Sequence, residues 1–112
     1  MTNYNEIINN ISTERVEQIL QKLHISYIDK GDYLLMRTVC HHADENEASE
    51  KLYYYKDNHF FMCYSECSGQ NILTFLNNYY EVRGITKSFH ELMDIIIDKA
   101  INIEQGFETF RY

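Results

Sequence analysis

A chain of 112 residues, 45% of them hydrophobic, is long enough for one packed domain and too apolar to be disordered. Its 17 acidic residues outnumber 10 basic ones for a formal net charge of −7, which excludes nucleic-acid binding through bulk positive field. No apolar run approaches the roughly 18 residues of a membrane span, and MTNYNEIINN has neither a basic stretch nor a signal core; a cytoplasmic protein without membrane contacts is expected.

Residues 3–24 have helical periodicity, with Tyr4, Ile7, Ile8 and Ile11 on one face and Val16, Ile19, Leu20 and Leu23 repeating it. Ser12 and Thr13 are candidate N-caps, so a short helix, a break and a longer helix are predicted. Gly31-Asp32 then punctuates the chain before a strand over 33–39 that leads into Cys40. An acidic loop, HHADENEASE, follows. Residues 51–55 and 60–63 read as two further strands joined by the turn Lys56-Asp57-Asn58-His59.

A helix over about 71–81 would bury Ile72, Phe75, Leu76 and Tyr79 or Tyr80, with Gly84 ending it. The last helix begins at Ser88, three residues before Glu91, the spacing of a capping box. Phe89, Leu92, Met93, Ile96, Ile97, Ala100 and Ile101 give it an apolar stripe. The fold class expected is α+β: a small antiparallel ribbon of about three strands flanked by N-terminal and C-terminal helices. Residues 1–28 form the N-terminal helical segment, 29–84 the ribbon with its packing helix, and 85–112 a C-terminal helix that can open a further domain or linker.

The three cysteines of the chain fall into one constellation, Cys40-x-His42 and Cys63-x3-Cys67. An odd cysteine count in a reducing compartment favours metal ligation over disulfides. Three thiolates and an imidazole complete a tetrahedral set for one structural Zn2+, with no position left for a catalytic water. Such a site contributes about 10–16 kcal/mol of apparent folding free energy in small domains. His42 is preferred to His41 because, in an extended segment, a residue two positions from Cys40 shares its face while a neighbour does not. His59 reads as a solvated turn residue, and His24 and His90 as helical residues without a signal.

Residues 33–76 resemble the zinc-binding domain of bacterial and phage DNA primases, the Cys-His-Cys-Cys primase finger. The resemblance runs through Val39-Cys40-His41-His42, then Ser49-Glu50-Lys51-Leu52-Tyr53-Tyr54-Tyr55-Lys56. It continues in Phe61-Met62-Cys63-Tyr64-Ser65-Glu66-Cys67-Ser68-Gly69 and the apolar helix of Ile72-Leu73-Thr74-Phe75-Leu76. The chain departs from the common pattern in having C-x-H without proline and C-x3-C, which is similar to the phage or mobile-element branch.

The resemblance implies a template-recognition module that binds single-stranded DNA and supports RNA primer initiation in the primosome. Its partners would be a primase catalytic domain and a replicative helicase; no catalytic residue of its own is expected. Stacking platforms and cations for such a strand are sought in Arg37, Lys51, Tyr53, Tyr55, Lys56, Phe61 and Tyr64, with weak and strongly salt-sensitive binding. The −7 charge and the stripe of the last helix point instead to a zinc-stapled protein-interaction module of a replication or transcription complex.

Overall fold

A computed structural model describes residues 4–97. The short helix α1 (Tyr4–Asn9) is separated from α2 (Thr13–Lys22) by Ser12, an extended N-cap whose hydroxyl accepts the Arg15 N–H at 3.1 Å. Val16, Ile19 and Leu20 line the buried face of α2. The helix closes in a Schellman arrangement, with His24 N–H donating to Gln21 O and Ile25 N–H to Leu20 O. His24 thus stands beyond the helix as its left-handed closing residue, at φ 60°.

Five strands follow as a meander, each antiparallel to the next: β1 (Tyr27–Asp29), β2 (Tyr33–Met36), β3 (Leu52–Tyr55), β4 (Phe60–Cys63) and β5 (Ser68–Gln70). The fold is α+β as expected, with two more strands than the sequence indicated. Both additions are three-residue edge strands, too short for alternation to register. The second strand also ends at Met36, earlier than the predicted Val39, because residues 38–42 fold into a tight turn.

Register gives the sheet two unlike faces. Leu34, Met36, Leu52, Tyr54, Phe61 and Cys63 are buried and pack with Ile19, Leu20, Phe75, Leu76, Met93 and Ile96 of the helices. The intervening residues Tyr33, Leu35, Tyr53, Tyr55 and Met62 are half-buried on the opposite face, and Phe60 and Ile28 are exposed there.

Helix α3 (Ile72–Glu81) starts at Asn71, whose side-chain carbonyl accepts the Thr74 N–H at 2.8 Å. It ends where Gly84, at φ 77°, lets Ile85 N–H reach back to Tyr80 O. Helix α4 (Phe89–Ile97) opens with the anticipated capping box: Ser88 N–H donates to Glu91 Oε1 at 2.8 Å and Glu91 N–H to Ser88 Oγ at 3.2 Å. It buries Leu92, Met93 and Ile96, while Arg15 of α2 donates to the Ile96 carbonyl at 2.8 Å. Ala100 and Ile101 of the anticipated stripe lie outside the described residues. No helix among the described residues is long and apolar enough to cross a membrane.

Candidate metal centre and the aromatic sheet face

Two turns at one end of the sheet converge. Thr38 O accepts the N–H of both His41 and His42, at 3.2 and 3.1 Å, so Cys40 and His41 sit in a turn rather than an extended strand. The second turn spans 64–67 and joins β4 to β5, carrying Cys63 and Cys67 at its ends. Cys40, His41, Cys63 and Cys67 each bring one ligand atom to within 4.8 Å of the others.

His41 Nδ1 lies 3.6 Å from Cys40 Sγ, 3.7 Å from Cys63 Sγ and 3.4 Å from Cys67 Sγ. One ring nitrogen cannot hydrogen-bond three sulfurs at once. A tetrahedral ion bound at about 2.0 Å to nitrogen and 2.3 Å to sulfur requires N···S edges of about 3.5 Å, so the donor set fits a metal in both chemistry and dimensions.

The histidine in this cluster is His41, which corrects the expectation of His42. The alternation argument assumed extended backbone, whereas a turn lets adjacent side chains converge. His42 is turned away: its Nδ1 lies 3.0 Å from the Thr38 hydroxyl, which also accepts the Ser49 N–H at 3.2 Å. With Nδ1 of His41 directed to the sulfurs, its other ring nitrogen, Nε2, is buried without a hydrogen-bond partner. Glu66 Oε2 lies 4.0 Å from it, beyond hydrogen-bond distance.

The sulfurs have unlike surroundings. Burial pushes the Cys40 thiol strongly up, and burial also raises Cys67. Burial acts on Cys63 in the same direction, yet the backbone N–H groups of Cys67, Ser65 and Glu66 together draw its thiol below the usual value. Amides converging on one sulfur are the environment of a ligating thiolate. Arg83, in the turn just beyond α3, ties the first turn to the helices: Nη1 donates to Val39 O at 2.9 Å, Nη2 to His42 O at 3.4 Å, and the guanidinium lies 3.7 Å over the Tyr79 ring.

Beside the metal cluster, the outer sheet face is a continuous aromatic surface. Tyr33 lies opposite Tyr55, and Leu35 opposite Tyr53. Tyr53 lies opposite Met62, and Tyr55 opposite Phe60. The Tyr53 and Tyr55 rings are 6.0 Å apart and inclined by 16°, and Tyr33 packs 5.0 Å from Tyr53. Tyr64 is 59% exposed and meets Tyr53 edge-on at 5.2 Å, its hydroxyl 2.7 Å from that of Tyr55. The Phe60 ring covers Gly69, where a Cβ would fall 2.6 Å from its edge.

Tyr53, Tyr55 and Tyr64 of the anticipated contact set share this face. Phe61 does not: it is fully buried and stacked 4.3 Å from Phe75, because the register sends it to the helix side. Of the cations, Lys51 is exposed, Lys56 is paired with Asp29 at 2.8 Å, and Arg37 donates to Ala48 O at 3.3 Å. Phe60 also belongs to the face, as does Tyr33, which was not singled out from the sequence; pairing Tyr33 with the tyrosine run by hairpin register was the signal that could have found it. His59 is half-buried in its turn at φ 58°, with Nδ1 3.1 Å from the Tyr54 hydroxyl.

Compared with protein-family models, curated proteins and solved structures, the chain has no significant match to any of them.

Proposed function

We propose that the chain is a zinc-stapled, single-strand-binding module of the DNA primase type, acting on the template in the cytoplasm beside a catalytic domain that makes the primer and a replicative helicase. The observation that carries this reading is the aromatic face. Tyr33, Tyr53, Tyr55, Phe60 and Tyr64 form a solvent-accessible platform one turn from the metal cluster. Unpaired bases stack on such rings, at about 1–3 kcal/mol per base. The set of three thiolates and one imidazole suits Zn2+, whose role here is to fix the two turns that border the platform. The metal has four protein ligands and supplies no chemistry.

The test is fluorescence anisotropy of a labelled single-stranded oligonucleotide with the zinc-loaded protein. Replacing Tyr53 and Tyr55 with Ala is expected to weaken binding by about fivefold to a hundredfold per ring. Equal binding by wild type and the double variant rejects the platform. A second reading is favoured by the net charge of −7: the same face docks a protein partner in a replication or transcription complex. It is preferred if wild type binds no single strand at low salt.

A further inference from the structure

We propose that metal occupancy controls the aromatic face through Tyr64, so that the metal centre acts as a switch for single-strand binding; this rests on the reading of the face given above. Tyr64 is the residue immediately after Cys63 and lies inside the metal-binding turn 64–67. Its backbone N–H is held by Lys51 O at 2.9 Å, while its side chain crosses to the outer face. There its ring meets Tyr53 at 5.2 Å and its hydroxyl meets Tyr55 at 2.7 Å. Beyond these tyrosines little restrains it, since the residue is 59% exposed.

The two ends of the turn are the sulfurs of Cys63 and Cys67, and a bound metal ties both to Cys40 and His41. Without the metal, the turn loses its cross-link, and Tyr64 is left with its N–H bond to Lys51 O and its contacts with Tyr53 and Tyr55 as its restraints, too few to keep its ring in one place. Unlike a zinc-finger peptide, whose folding free energy comes largely from the metal, the sheet beneath has a hydrophobic core of its own. Phe61, Phe75, Tyr54, Leu76 and Ile19 are buried in a core that extends from the strands into the helices. The apo protein therefore keeps its fold and loses one wall of the platform.

The experiment compares zinc-loaded and chelated protein, for wild type and Tyr64→Ala, with labelled oligo(dT) as probe and far-UV circular dichroism as the fold control. Chelation is expected to weaken wild-type binding about tenfold, the effect of losing one stacking ring. It should leave the weaker binding of Tyr64→Ala unchanged. Full metal dependence in Tyr64→Ala overturns the proposal, as does collapse of the circular dichroism on chelation. A second readout needs no nucleic acid: in 13C-tyrosine NMR, the Tyr64 signal, assigned with Tyr64→Phe, shifts on chelation while that of Tyr80 does not. An unmoved Tyr64 signal overturns the switch. Failure of wild type to bind oligo(dT) in either state, with Tyr64 still shifting, rejects the choice of ligand and retains the coupling.

Discussion

The Thr38 hydroxyl sits 3.0 Å from Nδ1 of His42, and this contact settles which of two neighbouring histidines faces the sulfurs. Thr38 is fully buried, accepts the Ser49 N–H and turns its carbonyl to the amides of His41 and His42. With the side chain of His42 engaged there, His41 is delivered to Cys40, Cys63 and Cys67.

The two histidines should therefore separate cleanly in a Co2+ titration followed by thiolate-to-metal charge-transfer absorbance. His41→Ala removes a ligand and should weaken binding by more than the roughly 10–100-fold typical of losing an outer-shell partner. His42→Ala should retain the full absorbance and cost about 1 kcal/mol of stability, the value of one hydrogen bond. The reverse pattern would return the ligand role to His42.

Arg83 should be the main mechanical link between the metal turn and the helices. Its donors to Val39 O and His42 O are charge-assisted, and its guanidinium covers Tyr79. Arg83→Met keeps the aliphatic stem and leaves those carbonyls without the donor, at an expected cost of about 1.5–3 kcal/mol in urea unfolding. Arg83→Lys should recover less than half of that, because an ammonium cannot present the same planar fork. Loss of stability without loss of metal affinity would show that the two turns hold each other unaided.

The elements legible in the sequence were those with strong local signals. Ser12 broke the first helices, the Ser88–Glu91 box started α4, and the tyrosine run marked β3. The cysteines marked the cluster itself, because thiolates at such spacing have few other uses in a reducing environment. What failed was inference across a turn. Alternation from Cys40 assigned the wrong histidine because it presumed a strand that ends at Met36. The same alternation correctly sends Tyr53 and Tyr55 to one face, but which face is buried depends on pairing. Tyr54 lies opposite Phe61, and both rings go to the helix side. Strands β1 and β5 escaped notice because three residues show no period, and Gly69 gives no strand signal until Phe60 is seen lying over it.

The Tyr55 phenol is pushed up to about 12, first by its hydrogen bond with Tyr64 and then by burial. A group whose folded pKa is raised contributes stability below its unfolded value near 10, and loses it as pH climbs through the folded value. The stability that the Tyr55–Tyr64 contact contributes should therefore be complete below pH 10 and be lost as pH rises from there to about 12, where Tyr55 itself ionises in the folded protein. In Tyr64→Phe, ultraviolet difference titration should place Tyr55 ionisation back near its ordinary value. An unchanged titration would mean that a different neighbour holds the proton.

The balance of rings and cations on the sheet revises the expected salt dependence. Lys56 is committed to Asp29 and Arg37 engages Ala48 O, while Lys51 and Lys30 remain as exposed cations without such a contact in the described residues. Neutralising about two phosphates of a single strand gives a slope of roughly −1.4 in log K against log salt. Affinity for oligo(dT) should then fall only about sevenfold between 50 and 200 mM salt, because stacking on Tyr33, Tyr53, Tyr55 and Tyr64 is insensitive to counterions. Lys51→Gln should flatten the slope by about 0.7, whereas Tyr53→Ala should lower affinity at every salt concentration and leave the slope as it is. A wild-type slope of about −4 or steeper would mean that phosphates rather than bases hold the strand, and the aromatic face would lose its central role.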